Sequence, residues 1–149
     1  MEKRLRLTFP DENATAVAEL LSREAPRTCE AIWKALPLEG DLIHAMWSGP
    51  ETYLPIDPSI RVAPEHQTQH PLPGEIGYYS LPGGQIVGWP SDFSEIAFFY
   101  GRGSRPSMPT GPVSMNVFAR IVENLEGFSV MCSRIHLEGV KRLVITKVP

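Results

Sequence analysis

Proline constrains this chain more than any other residue. Twelve of its 15 prolines lie between Pro37 and Pro112, and none lies between Val113 and Val148. Proline lacks a backbone donor and blocks helix interiors. The middle of the chain is therefore expected as strands broken by turns and long loops, and an all-helical bundle is excluded.

Local patterning fills in the elements. Leu5-Arg6-Leu7-Thr8-Phe9 alternates apolar and polar side chains and predicts a strand ending at Pro10. Residues 14–21 read two ways: Ala, Glu and Leu favour a helix, whereas the alternation of Ala16, Ala18 and Leu20 allows a strand. Pro26 suits a first helical turn, Ile32, Trp33 and Leu36 follow Cys29 at helical spacing, and Pro37 ends the run, so a helix is predicted over 26–36. Strands are predicted over 42–47, 51–56, 75–79, 85–87, 95–100, 113–123 and 140–148, and a helix over 125–137. Residues 57–73 and 101–112 are predicted loops. Strands that follow strands without intervening helices point to a mostly antiparallel barrel or sandwich with helices at its ends.

At 149 residues, with 42% hydrophobic and 21% charged side chains, a single globular domain over residues 1–149 is expected. The 14 basic and 17 acidic side chains give a net charge of −3, which argues against a nucleic-acid-binding surface. No apolar stretch nears the ~20 residues of a membrane helix. The first residues alternate charge with Leu and lack a signal-peptide core, so a cytoplasmic protein is expected. Cys29 and Cys132 are expected as free, buried thiols.

Several segments resemble the cyclophilins. Glu19-Leu20-Leu21 followed by Ala25-Pro26-Arg27-Thr28-Cys29-Glu30-Ala31-Ile32 is similar to a cyclophilin strand leading into a Pro-Lys-Thr helix. Asn116-Val117-Phe118-Ala119-Arg120-Ile121-Val122-Glu123 resembles the Val-Phe-Gly-Lys-Val strand, and Lys141-Arg142-Leu143-Val144-Ile145-Thr146 resembles the closing strand. The nearest likeness is to small bacterial families of unknown function with a cyclophilin-like barrel. These carry a strand like Gly74-Glu75-Ile76-Gly77-Tyr78-Tyr79, an apolar strand ending like Phe99-Tyr100-Gly101-Arg102, and a turn like Pro112-Val113-Ser114-Met115-Asn116-Val117. The resemblance implies a closed, cyclophilin-like antiparallel β-barrel with two helices, and makes residues 14–21 a strand. Cyclophilin prolyl isomerases carry a Phe-His-Arg strand. The matching stretch here is His44-Ala45-Met46-Trp47-Ser48, with no Arg, and Met115 or Asn116 stands where the pocket histidine would be. Prolyl isomerase activity is therefore not expected, because twisting the amide over a barrier of roughly 20 kcal/mol needs a placed donor.

Chemistry-bearing motifs are few. His66 and His70 form an HxxxH among Pro64, Pro71 and Pro73, where no helix can bring them to one face, so a solvated loop is expected rather than a metal site. Gly101-Arg102-Gly103-Ser104-Arg105 matches a phosphate loop only in composition. No acidic residue lies between Phe99 and Met115, so Arg102 and Arg105 read either as an anion clamp or as solvated arginines. One of Phe98 and Phe99, and one of Tyr78 and Tyr79, must face outward. That outer face is where cyclophilins hold peptide, so it is the expected site. Its candidate ligand-binding residues are His44, Trp47, Glu51, Tyr53, Tyr79, Tyr100, Arg102, Arg105 and Asn116. The expected function is binding of a small anionic or peptide-like ligand there, without cofactor or metal. The alternatives are an enzyme, either a divergent prolyl isomerase or a small-carboxylate hydrolase or lyase with His44 or Glu51 as base, and a homo-oligomeric structural subunit.

Overall fold

The computed structural model describes residues 2–149. Among them lie β1 (Arg4–Phe9), β2 (Ala14–Leu20), α1 (Pro26–Ala35), β3 (Leu38–His44), β4 (Glu51–Ile56), β5 (Gln67–Thr68), β6 (Glu75–Leu81), β7 (Phe93–Phe99), β8 (Ser107–Met108), β9 (Gly111–Pro112), β10 (Met115–Glu123), α2 (Leu125–Glu138) and β11 (Lys141–Lys147). Eight strands pair in the order β2-β1-β11-β3-β4-β7-β6-β10, and β10 pairs back onto β2. The result is a closed antiparallel barrel with two helices. β5 adds to β10 beside Met115 and Asn116, and β8 with β9 forms a separate small hairpin.

Closure explains β2. Ala16 and Ala18 point inward and lie opposite Leu7 and Leu5 of β1, while the other edge of β2 pairs with β10. Two ladders of backbone hydrogen bonds override the helix propensity of the segment. Inside the barrel, Leu54, Ile76, Tyr78, Ile96 and Phe98 join the main core. α2 plugs one end, with Phe128 against Phe9 and Phe98 at centroid distances of 5.4 and 5.3 Å. Cys29 on α1 and Cys132 on α2 are both free and buried. No helix among the described residues is long and apolar enough to cross a membrane.

The structure departs from the sequence reading at several places, including the short strands β5, β8 and β9 inside the stretches 57–73 and 101–112 expected as loops, where two-residue pairings carry no apolar alternation to mark them. β3 begins at Leu38 rather than residue 42 and stops at His44. Its first half pairs with β11 while exposing Glu39 and Asp41, and its inward Gly40 has no side chain to mark the alternation. β7 begins at Phe93, which moves Glu95 from the start of the strand to its middle. Residues 85–87 form no strand beyond a single bridge between Ile86 and Trp89. The outward residues of β7 and β6 carry a second, smaller cluster of Ala97, Phe99 and Met115, with Tyr79 and Val113 against it. Thus Phe98 and Tyr78 face the interior and Phe99 and Tyr79 face outward, as the alternation requires.

Candidate functional site

β4 turns Glu51, Tyr53 and Pro55 outward and sends Leu54 into the core. β7 pairs with it so that Glu51 lies opposite Phe99, Tyr53 opposite Ala97 and Pro55 opposite Glu95. Two carboxyl groups therefore stand at diagonal corners of one outward patch. Two loops and one hairpin wall it in. The β3–β4 connection folds back through Ala45 N–H to Glu51 O at 2.9 Å. Gly49 holds a φ of 72°, a left-handed conformation that favours glycine. Ser48 then ties this turn to the following loop. Its carbonyl accepts Arg105 N–H at 2.9 Å, and its hydroxyl oxygen accepts Ser107 N–H at 3.0 Å. That fastening sets Ser107 and Met108 over the patch. The β6–β7 hairpin is held by Gly83 N–H to Asp92 Oδ1 at 2.8 Å and brings in Trp89, which packs on Phe93.

A cavity of about 360 Å³ results, lined by Ala45, Met46, Trp47, Ser48, Glu51, Tyr53, Trp89, Phe93, Glu95, Ser107 and Met108. Glu51 is 2% exposed and Glu95 4%. Glu51 Oε1 is a buried polar atom with no hydrogen-bond partner. Burial pushes the Glu51 carboxyl up to about 8, with the Ser48 hydroxyl pulling the other way. Burial, then the neighbouring Glu51 charge, raises Glu95 well above the carboxylate range. Burial and these two carboxyls also raise Tyr53. No Lys, Arg or His lines the cavity. Burial thus favours the protonated form of both carboxyls. Each can donate a hydrogen bond, or give up its proton when a cation arrives.

Of the residues singled out in the sequence, Trp47, Glu51 and Tyr53 meet at this cavity. Tyr79 stands beside it, opposite Glu95 on β6, and its hydroxyl is raised by burial and by that carboxyl. The others lie elsewhere. The His44 ring faces α2: its Nδ1–H donates to Ala45 O at 2.8 Å, its Nε2 accepts the Tyr100 hydroxyl at 2.6 Å, and His136 stacks edge-on at 4.7 Å. Arg102 and Arg105 are exposed and are not part of the lining. The acidic side chains of the neighbouring strands are engaged elsewhere or buried: Glu123 pairs with Arg4, Glu75 accepts Leu72 N–H, and Glu95 lies in the cavity lining.

Asn116 is fully engaged near the start of α1. Its Nδ2 donates to Thr28 Oγ1 and Ala63 O, and its Oδ1 accepts Glu65 N–H and Gln67 Nε2. His66 Nδ1 lies 2.8 Å from Val117 O, and β5 separates it from His70. No cluster of three or more metal-ligating side chains occurs among the described residues.

Sequence reasoning missed Glu95, Trp89, Phe93 and Met108. A signal existed for Glu95. It is the one charge inside the most apolar run of the chain, and it shares parity with outward Ala97 and Phe99.

Residues 7–147 match the family described as a protein of unknown function, DUF3830. No curated protein matches the chain. Among solved structures, that of McbB in complex with tryptophan is similar at a TM-score of 0.70 and 17% identity, over 95% of this chain and 44% of that one. The chain thus spans less than half the length of McbB. The solution structure of the hypothetical protein AF2241 from Archaeoglobus fulgidus is similar at a TM-score of 0.58 and 24% identity, covering 99% of this chain and 95% of that one. At these identities the likeness is one of fold.

Proposed function

The chain belongs to the family of proteins of unknown function DUF3830, and from that premise we propose that it is a ligand-binding protein. A cyclophilin-like single domain would hold a small, mainly apolar molecule in the cavity on its outer face. The observation that carries this reading is Glu51 Oε1, buried without a partner at the cavity wall. Leaving such a group unsatisfied costs about 1–3 kcal/mol. A bound molecule that completes its hydrogen bonding recovers that cost. The walls support the same reading: Trp47, Tyr53, Trp89 and Phe93 offer ring faces, and about 360 Å³ suits one small molecule better than an extended peptide. The likeness to McbB, a fold neighbour solved with tryptophan, agrees with a small ligand that has an aromatic body.

The sequence pointed to a small anionic or peptide-like ligand, with Arg102 as a candidate anion clamp. The lining favours a different charge, because its ionisable groups are carboxyls and tyrosine and Arg102 stands outside it. The isomerase alternative finds no support either, since both ring nitrogens of His44 are engaged and no Arg follows it. No rate enhancement on an Xaa-Pro peptide is expected.

The test is a thermal-shift screen of small aromatic compounds, run in parallel on the wild type and on Trp89→Ala. Hits that stabilise the wild type and lose their effect in Trp89→Ala support the cavity. Hits that act equally on both proteins refute it.

A further inference from the structure

The lining of the cavity also dictates the charge of what fills it. Resting on the ligand-binding reading above, we propose that the ligand is an organic ammonium ion: its aromatic body lies among Trp47, Tyr53, Trp89 and Phe93, its protonated amine meets Glu51, and it carries no carboxylate. Three features lead there. The unpartnered Glu51 Oε1 is an acceptor awaiting a donor once the carboxyl ionises. The surrounding ring faces attract a cation and repel an anion. A ligand carboxylate would meet Glu51 and Glu95 with no Lys, Arg or His in the lining to receive it.

Proton balance makes the proposal distinctive. The titratable groups facing Glu51 across the cavity are Glu95 from β7 and Tyr53 from its own strand; the β3–β4 turn and the 104–108 loop contribute the Trp47 indole N–H and the Ser48 and Ser107 hydroxyls, and no charged side chain. With no cation beside it, burial favours the protonated Glu51 carboxyl. When the ammonium arrives its N–H donates to Glu51, the carboxyl ionises, and the displaced proton leaves to solvent. One proton is released for each cation bound, and the ion pair forms as a charge-assisted hydrogen bond. Affinity therefore rises as pH climbs towards about 8 and levels off above it.

The experiment is calorimetric titration of the full chain with tryptamine, with tryptophol as its neutral hydroxyl counterpart, and with indole-3-propionate as its carboxylate counterpart. The expected result is that tryptamine binds at least about tenfold tighter than tryptophol, with no measurable binding of indole-3-propionate. Buffers of different ionisation heat should report release of one proton. Glu51→Gln, checked by its melting curve, should bind tryptamine no better than tryptophol. If tryptophol or indole-3-propionate matches tryptamine, or if Glu51→Gln keeps the preference, the ammonium assignment is overturned while the binding cavity stands. If none of the three binds but the aromatic screen yields cavity ligands, the assignment is again overturned. Silence in both experiments overturns the binding reading beneath it.

Discussion

Asn116 and Glu51 are polar residues buried to the same degree, each 2% exposed, on the same barrel. Around Asn116 every hydrogen-bonding group is used. Its amide bridges α1, the proline-rich 57–73 loop and β10, and Glu65 reinforces the corner by accepting Thr28 N–H at 2.6 Å and Thr28 Oγ1 at 2.7 Å. Around Glu51 one oxygen has no partner, and the space in front of it is a cavity. Burial alone does not separate a residue that holds the fold from one that awaits a ligand. Satisfaction does, because an unpaired buried polar atom is tolerated only where something else is gained.

The largest effect that tests this contrast is on Asn116. Asn116→Ala removes four hydrogen bonds at a buried corner and opens a gap there, so a loss of about 3 kcal/mol in denaturant unfolding is expected. A loss below about 1 kcal/mol would break the comparison, since Asn116 would then be no more structural than Glu51.

Next comes Glu51→Gln, which keeps the shape and removes the ionisable group. Its folded pKa of about 8 lies above the ordinary 4.5, so the folded state holds the proton more tightly than the unfolded one. The stability from this group is fully present below about 4.5 and is lost as pH rises through about 8. The wild type should lose stability steadily over that window, and Glu51→Gln should lose less.

The Asn116 corner should respond to pH in the opposite sense. Burial works to raise the Glu65 carboxyl, but the Thr28 hydrogen bonds and the Arg27 guanidinium outweigh it and leave it below the ordinary value. Its stability is present above the unfolded pKa and is lost as pH falls through the folded one. Glu65→Gln should cost about 1 kcal/mol at neutral pH and flatten the acid limb of the melting profile only.

The smallest effect belongs to Arg102. Exposed and away from the cavity lining, Arg102→Ala should change stability by less than about 0.5 kcal/mol and leave tryptamine binding untouched.

Much of the fold was legible because its signals are local. Pro26 and Pro37 bracket α1, and the β4 strand runs from Glu51 to Ile56 as its pattern indicates. Ala14–Leu20 needed the cyclophilin resemblance, because its strand character comes from partners on both edges. The start of β3 was hidden by Gly40, whose inward position is tight: an added Cβ would sit 3.1 Å from Leu54 Cδ1, which would have to shift to admit it. The site was half legible. Trp47, Glu51 and Tyr53 follow from strand parity and one adjoining turn, whereas Trp89 and Met108 arrive on a hairpin and a loop that the Ser48 fastening folds across the sheet. No period in the sequence encodes that closure. Arg102 stands apart from the cavity because the chain leaves β7 at Phe99 and carries the guanidinium into solvent before Ser104 turns back to Ser48.

Glu51 is a buried carboxyl whose Oε1 stands without a partner at the cavity wall. Carbon-13 NMR of the glutamate side-chain carboxyls, with Glu51 assigned by its absence in Glu51→Gln, reads this directly. Glu51 should titrate near pH 8 in the protein alone, and saturating tryptamine should draw the titration downward. A Glu51 resonance that titrates in the ordinary carboxylate range and ignores the amine would contradict it.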